Sequence, residues 1–182
     1  MLQPNFTPFP GLATERLLLR KITMEDAPEI FFLRSDPAVL QHLGKRPAAT
    51  MKEAEDFIEL VSNNLVSNEG IIWAIVLKED PAKTIGTICF WRFDKDHYRA
   101  EIGYALNPAW WQKGIMKEAI RKTLEYGFHV MGLHSVEARI SPDNIASAAV
   151  LESTGFVKEA HFREDFFYDG KFGDTIVYSR LQ

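Results

Sequence analysis

Residues 99–119 read Arg99-Ala-Glu-Ile-Gly-Tyr-Ala-Leu-Asn-Pro-Ala-Trp-Trp-Gln-Lys-Gly-Ile-Met-Lys-Glu-Ala119, and this stretch decides the fold. Its first eight residues are typical of a β-strand, and apolar positions at helical spacing predict an amphipathic helix over 112–130. Residues 135–140 again have strand character. A strand, a long helix and a second strand in this order predict a parallel crossover.

The start of this helix carries a chemical clue. The first N–H groups of a helix have no internal partner, and its positive end usually attracts Asp or Glu. Here Lys113 and Lys117 lie at that end, and Gly114 leaves room for close approach to the backbone. The pattern favours a bound anion such as phosphate. In the alternative interpretation both lysines are solvated and Gly114 relieves a tight turn.

Strand-like sequence also precedes this stretch. Residues 71–77 and 84–91 are rich in β-branched and aromatic residues, and their short polar connections favour antiparallel hairpins. Upstream we expect a strand over 16–22, a helix over 24–33 and a second helix after Thr50, which with Glu53 has the form of a capping box.

After the crossover we expect a short Ala-rich helix over 144–154, ended by Gly155. Two final strands flank Asp169-Gly170, a strong hairpin signal. The order strand, helices, three strands, helix, strand, helix, two strands predicts an α+β fold with a mixed, mostly antiparallel sheet. Residues 1–13 contain three prolines and suit an extended lead-in, so we expect a single domain over 14–182.

Composition excludes several function classes. With 21 basic and 25 acidic residues the net charge is -4, without the basic surplus of a nucleic-acid-binding protein. No apolar run reaches the roughly 18 residues of a membrane span, so we expect a cytoplasmic protein without a membrane partner. One cysteine, Cys89, cannot form an internal disulfide, and the five histidines form no ligand-like cluster, so no metal is expected.

Four segments together resemble the GCN5-related N-acetyltransferase (GNAT) superfamily, and within it the branch of the ribosomal-protein-alanine N-acetyltransferases. They are residues 14–20, 100–108, 110–119 and 144–156, in the order and spacing of that family. Trp111 and Met116 stand at the first and last positions of its pyrophosphate loop, where Met116 is bulkier than usual. Glu152 stands where many relatives have a tyrosine that acts as general acid.

The resemblance implies a sheet with helices on both faces and splayed central strands, between which acetyl-CoA lies. It implies that the backbone of Tyr104, Ala105 and Leu106 holds the pantetheine arm, and that the Leu106 N–H donates to the thioester oxygen. Asn144 and Ser147 would contact the pantetheine or stabilise the departing thiolate. The pyrophosphate would be held by the backbone N–H groups of Gln112, Lys113, Gly114, Ile115, Met116 and Lys117.

Acetyl transfer needs a neutral amine, and therefore a base that takes up its proton. Glu101 of the central strand is the candidate, because Gly103 and Ala105 on the same face of that strand are small and leave space beside it. Glu101 could instead be a paired structural carboxylate, and Glu152 is a second candidate. Cys89 lies in an apolar strand and is a poor nucleophile, which favours direct transfer.

The expected activity is therefore that of an acetyl-CoA-dependent N-acetyltransferase acting on a primary amine, either a protein N-terminus or a small molecule. The acidic balance of the whole chain would suit a cationic acceptor. Two alternatives stay open: a non-catalytic acyl-CoA-binding module, and a phosphate-binding regulator that does not bind CoA.

Overall fold

The computed structural model describes all 182 residues, and its elements follow the order expected from the sequence, with one short strand over 12–13 and one short helix over 37–40 in addition. The strands are β1 (Leu12–Ala13), β2 (Leu17–Lys21), β3 (Ile71–Leu77), β4 (Asp80–Asp94), β5 (Arg99–Leu106), β6 (Ser135–Ile140), β7 (Val157–Tyr168) and β8 (Lys171–Leu181). The helices are α1 (Ala27–Ser35), α2 (Pro37–Leu40), α3 (Met51–Val66), α4 (Ile115–His129) and α5 (Ile145–Ser153).

All eight strands form one sheet in the order β1-β2-β3-β4-β5-β6-β8-β7. Every neighbouring pair is antiparallel except β5 and β6, which α4 connects as a parallel crossover. The predicted α+β class and mostly antiparallel sheet are confirmed. The β7–β8 turn has positive φ at both Asp169 and Gly170, as the dipeptide predicts.

Helices cover both faces of the sheet because side chains alternate along each strand. On β3, Trp73 joins the large core that α4 and α5 close, with Ile120, Leu124 and Leu151 among its members. The next residue, Ala74, faces the other way and packs with Ile30 of α1 and Ile58 of α3.

The N-terminal lead-in is irregular up to residue 11, as its prolines predict, and then joins the sheet as β1; its irregular part is packed rather than loose. Leu2 and Phe6 are only 4% and 1% exposed and belong to the main core. The Pro10 carbonyl accepts a hydrogen bond of 2.7 Å from the Trp73 indole. Composition misses this contribution because the two apolar side chains are separated by polar residues and show no period.

Three helix starts differ in detail from expectation. Helix α1 begins at Ala27 rather than at 24, because residues 24–26 form a 3-10 turn. Helix α4 begins at Ile115 rather than at 112, because Gln112 and Gly114 adopt positive φ values of 59° and 74° that no α-helix contains. Thr50 caps α3 by accepting from the Glu53 N–H, but the Glu53 carboxylate pairs with Arg46 at 2.9 Å instead of completing the capping box.

The sheet opens between its two central strands. β5 and β6 pair only over Arg99, Ala100 and Glu101, opposite Ser135, Val136 and Glu137. Beyond Glu101, β5 keeps its pairing with β4 through Leu106, while its other edge has no strand beside it. The splayed central strands are thus present, with the apex of the opening at Glu101. None of the helices is long and apolar enough to cross a membrane.

Candidate active site

The open edge of β5 offers backbone groups at alternate residues. The Asn107 N–H donates to the Ile85 carbonyl at 2.9 Å. Because backbone groups alternate along a strand, the odd-numbered residues of β5 direct their N–H and C=O groups toward β4. Tyr104 and Leu106 therefore direct their N–H and C=O groups into the opening. Ala105 directs its own toward β4, so the expectation that all three residues hold one ligand is corrected to Tyr104 and Leu106.

The turn from β5 into α4 is fixed by side chains. The Trp111 indole donates to the Leu106 carbonyl at 2.8 Å, and the Asn107 side chain accepts from the Ala109 N–H at 2.9 Å. Lys113 Nζ lies 4.6 Å from the centre of the Trp110 ring, a cation–π contact. The two tryptophans are corner residues that hold the loop against the end of β5.

The loop and the first turn of α4 present six consecutive backbone N–H groups, from Gln112 to Lys117, that donate to no group of the protein. The positive φ values of Gln112 and Gly114 turn this stretch into a concave backbone, and Gly114 has no side chain to fill it. A Cβ at Gly114 would meet only the Arg16 guanidinium, at 3.5 Å. Such a cradle fits an anion.

Met116 does not obstruct this cradle. Ile115 and Met116 are 2% and 8% exposed and belong to the main core beneath α4. The bulk that distinguishes Met116 from the small residue usual in the family is therefore directed into the core, away from the free N–H groups.

Arg16 is a site residue that the sequence pattern does not single out. Its guanidinium donates to the Lys113 carbonyl at 3.0 Å and pairs with Glu118 of α4 at 2.7 Å. Burial raises the pKa of Glu118, but hydrogen bonds from Thr14 and Arg16 outweigh it and hold that pKa below its ordinary value. Arg16 thereby joins the residues just before β2 to the loop that precedes α4, and its guanidinium adds a positive charge beside that loop.

Glu101 lies at the apex of the opening and is 7% exposed. Burial raises the pKa of its carboxyl above the ordinary value, although the Arg92 guanidinium, 3.0 Å away, opposes this. Arg92 in turn stacks on the Trp91 ring at 4.2 Å. It occupies an irregular point of β4, with a φ of 48°, and this irregularity is not visible in the sequence.

Tyr104 and Ser147 meet across the space between β5 and α5. The Tyr104 hydroxyl is buried beside Ser147 but has no hydrogen-bond partner of normal geometry, and burial raises its pKa to about 12. The Asn144 side chain caps α5 by accepting from the Ser147 N–H at 3.1 Å. Asn144 and Ser147 are thus positioned together next to the central strand.

Glu152 and Cys89 have structural surroundings. The Glu152 carboxylate accepts a 3.0 Å hydrogen bond from the Tyr178 hydroxyl of β8. Cys89 packs against Gly103 so closely that a Cβ there would lie 3.1 Å from its sulfur. Burial raises the pKa of the Cys89 thiol to about 12, which keeps it protonated and unreactive.

The residues present fit acetyl-CoA. Six unpaired N–H groups suit its pyrophosphate. The N–H and C=O of Tyr104 and the N–H of Leu106, which no neighbouring strand pairs, suit an extended amide-containing arm, while the Leu106 carbonyl is held by the Trp111 indole. No group of three or more His, Cys, Asp or Glu side chains is arranged to hold a metal ion. A cavity of about 470 Å³ near Arg121 and His129 lies toward the other end of α4, away from these groups.

Comparison with known proteins agrees with this geometry. The family model of the GNAT acetyltransferase domain matches residues 16–157. The uncharacterized N-acetyltransferase YoaA of Bacillus subtilis is 37% identical over 171 residues, 94% of this chain and 96% of that protein. The spermidine N(1)-acetyltransferase of Vibrio cholerae is 26% identical over 161 residues, 88% of this chain and 90% of that protein.

Among solved structures, the ribosomal-protein-S5-alanine acetyltransferase of Vibrio fischeri superposes with a TM-score of 0.83 at 26% identity. The match covers 94% of this chain and 96% of that one. The expected resemblance, including its ribosomal-protein branch, is confirmed. The cradle, the open strand edge and these matches lead to one conclusion: the chain belongs to the GNAT family of acetyl-CoA-dependent N-acetyltransferases.

Proposed function

We propose that this enzyme transfers the acetyl group of acetyl-CoA directly to a primary amine, and that its acceptor is a protein N-terminal α-amine. The observation that carries the proposal is the junction of the open β5 edge with the six unpaired N–H groups at the start of α4. Both features end in the same corner, and the candidate base Glu101 lies at the apex of the same opening.

The residues of this corner hold the donor. The N–H groups from Gln112 to Lys117 bind its pyrophosphate, with Arg16, Lys113 of the loop and Lys117 of the first turn of α4 adding positive charge. Tyr104 and Leu106 pair with its pantetheine arm as an added strand would. When bound, acetyl-CoA supplies an activated acetyl thioester.

The position of Glu101 decides which N–H group polarises the thioester oxygen. Leu106 lies five residues from Glu101, roughly 16 Å along an extended strand, whereas Tyr104 lies roughly 10 Å away. If Glu101 is the base, the Tyr104 N–H is the better placed donor, and the Leu106 N–H pairs with the pantetheine arm. This assignment refines the expectation that Leu106 polarises the thioester.

Glu101 accepts the proton that the amine loses, directly or through one water. An α-ammonium has a pKa of ~7.8 and a lysine ammonium ~10.4, so the α-amine needs far less help to become neutral. A buried carboxylate with a raised pKa is a suitable base for that task, and Arg92 keeps its orientation.

Ser147 and Tyr104 assist the departure of the CoA thiolate. The hydroxyl of Ser147 donates to the departing thiolate, and the unpartnered Tyr104 hydroxyl beside it can return a hydrogen bond to Ser147. Asn144 positions Ser147 by capping α5. No acyl-enzyme is proposed, because desolvation raises the pKa of the half-buried Cys89 thiol to about 12 and keeps it protonated.

A small-molecule amine is the second candidate acceptor. It is favoured by the likeness to the spermidine N(1)-acetyltransferase of Vibrio cholerae, while the likeness to the ribosomal-protein-S5-alanine acetyltransferase favours a protein N-terminus. A non-catalytic acyl-CoA-binding module is disfavoured, because such a module has no use for a buried carboxylate of raised pKa at the apex of the opening.

The test is thiol release from acetyl-CoA with a panel of amines, each product being checked by mass for one added acetyl group. We expect release with peptides that have a free N-terminus, and none with the same peptides after N-terminal blocking. Thiol release with polyamines and with no peptide would show that the acceptor is a small-molecule amine rather than a protein N-terminus. Binding of acetyl-CoA without release for any amine would support the non-catalytic module instead.

A further inference from the structure

A cleft of about 340 Å³ separates the segment 37–47 from the β7–β8 hairpin. Its walls approach closely at one point, where a Cβ on Gly44 would lie 3.1 Å from the Phe166 ring. Ser141, the first residue after β6, forms part of its lining, so the cleft lies at the end of the sheet toward which β5 and β6 diverge.

The cleft lies on the face of β5 that carries Glu101. Gly103 shares the face of Glu101 by strand alternation, and Cys89 packs against Gly103. Ala74, which packs with α1 and α3, lies level with Thr87 and Ala105 across the sheet, so Ala105 and Glu101 lie on the face that α1 covers. The segment 37–47 follows α1 directly. A molecule bound in the cleft can therefore extend an amine toward Glu101 while the donor occupies the α4 side.

The charged side chains that line this cleft are two lysines, Lys45 and Lys171. Neither lysine has a carboxylate within ion-pairing distance. No Asp or Glu lines the cleft, although the whole chain is acidic. The local charge is thus opposite to the one that a polycation would need.

The carboxylates of the surrounding segments are engaged elsewhere or lie outside the lining. Asp36 caps α2, Asp165 pairs with Arg139 at 3.2 Å, and Asp174 pairs with His161 at 2.7 Å. Asp143 lies at the border of the cleft, where its carboxylate contacts His42 at 3.2 Å and accepts a hydrogen bond from Ser141, but it does not itself line the cleft, and neither do Glu164 and Asp169. The remaining walls are largely apolar and aromatic, with Phe166, Tyr168 and Phe172 on the hairpin side. Such walls suit a peptide chain or another partly apolar acceptor.

The geometry points to an acceptor whose amine is accompanied by carboxylates, bound in this cleft between Lys45 and Lys171, with polyamines excluded by the same two charges. This inference rests on the proposed acetyl transfer and specifies its substrate class. An acidic peptide N-terminus and a small amino acid with a second carboxylate share this chemistry, and the test separates the two.

The test measures kcat/KM by thiol release for five acceptors at low ionic strength. They are a peptide amide Ala-Asp-Glu-Asp, its neutral counterpart Ala-Asn-Gln-Asn, its basic counterpart Ala-Lys-Arg-Lys, free glutamate, and spermidine. We expect the acidic peptide to exceed the neutral one by about tenfold and the basic one by more, with the difference shrinking as salt screens the charges. Higher kcat/KM with glutamate than with the acidic peptide would show that the acceptor is a small acidic amino acid.

Charge reversal tests the residues themselves. In the double variant Lys45→Glu and Lys171→Glu we expect the acidic peptide to lose about tenfold in kcat/KM, through KM, while the neutral peptide changes less than twofold. Lys83→Glu is the matched control, since Lys83 is exposed on β4, lies outside the cleft and has no ion-pair partner. It should leave all five acceptors unchanged.

The inference would be overturned if spermidine or the basic peptide were the best acceptor. It would also be overturned if the double variant lost the same factor in kcat/KM for every acceptor. Either result would leave the proposed acetyl transfer intact. Absence of thiol release with every amine would instead contradict the proposed function, and this inference with it.

Discussion

Glu101, the proposed base, is buried and has a single ion-pair partner. It is the last residue of β5 that pairs with β6. Its side chain lies on the side of the sheet that α1 and α3 cover. Burial raises its pKa, and the single ion pair with Arg92 limits that rise. The raised pKa also means that protonation of Glu101 stabilises the fold: this contribution is complete below the ordinary glutamate pKa and is lost as pH rises through the folded-state value.

Replacing Glu101 by Gln should therefore lower activity without lowering stability at neutral pH. We expect kcat/KM for the amine to fall by about 100-fold, the usual effect of losing a general base, with the KM for acetyl-CoA unchanged. The residual rate should rise with pH as the amine itself deprotonates. Glu137→Gln is the control, because Glu137 lies opposite Glu101 in register but pairs with Arg99 at 2.8 Å. Full activity in Glu101→Gln would remove Glu101 from the mechanism.

Asp26 is a second buried carboxylate, with a structural role. Burial raises its pKa, but hydrogen bonds from Arg20, the Thr23 N–H and Thr84 outweigh it and keep the pKa below its ordinary value. Its contribution to stability is therefore present above the ordinary aspartate pKa and is lost as pH falls through the folded-state value.

Asp26→Asn should lower the free energy of unfolding by about 3 kcal/mol at pH 7, because Arg20 and Thr84 lose a buried anionic partner. Urea unfolding at several pH values measures this effect. The difference from the unmodified protein should shrink below about pH 4, where Asp26 of the unfolded chain is protonated. A loss that is independent of pH would show that the ion pair is not its source.

Sequence alone suggests Glu101 as a candidate base but does not reveal its neighbours. Alternation along β5 places Glu101 with Gly103 and Ala105, and this local pattern suffices to find it. Arg16 acts on Glu118, which is 102 residues away, and Arg92 reaches Glu101 only because β4 is irregular there. Such contacts depend on tertiary pairing and have no local signature.

At the scale of elements, the start of α4 combines a turn and a binding cradle. Gln112 and Gly114 hold positive φ values on either side of Lys113, and this alternation bends the backbone so that its N–H groups converge. The lysines and Gly114 indicate an anion site in the sequence, but the helix start at Ile115 cannot be read from apolar spacing, since the period continues into the loop.

Gly114→Ala should weaken the donor site. A Cβ at a φ of 74° adds about 1–2 kcal/mol of strain, and relaxing it shifts the N–H groups on either side. We expect the KM for acetyl-CoA to rise about tenfold, equivalent to about 1.4 kcal/mol.

Gly132→Ala is the matched control for this strain. Gly132 has a φ of 76°, nothing within 4 Å of its Cβ position, and lies beyond the opposite end of α4. It should show a similar loss of stability with an unchanged KM. Equal KM values in both variants would mean that the cradle does not bind the donor.

At the scale of the molecule, the N-terminal lead-in is part of the core. Phe6 is 1% exposed, packs near Phe93 with ring centres 6.1 Å apart, and its N–H donates to the Asn68 side chain at 2.9 Å. The order of elements and the parallel crossover could be predicted, because both follow from local periodicity and connection length. The packing of the lead-in could not, because it depends on a surface that β3 and β4 create only after folding.

Phe6→Ala should lower the free energy of unfolding by about 3 kcal/mol, the usual effect of emptying a buried phenylalanine site. Urea unfolding measures it, and Phe167→Ala, at a position 62% exposed, should have a much smaller effect. Equal effects of the two substitutions would show that the lead-in does not stabilise the fold.

In the proposed mechanism the donor and the acceptor bind on opposite sides of β5, so both must be bound together for transfer. The measurement that tests this most directly is a matrix of initial rates of thiol release, with acetyl-CoA and a free N-terminal peptide varied together. The structure predicts release only when both are present, and double-reciprocal lines that intersect. Parallel lines, with an acetylated form of the enzyme, would contradict direct transfer across β5.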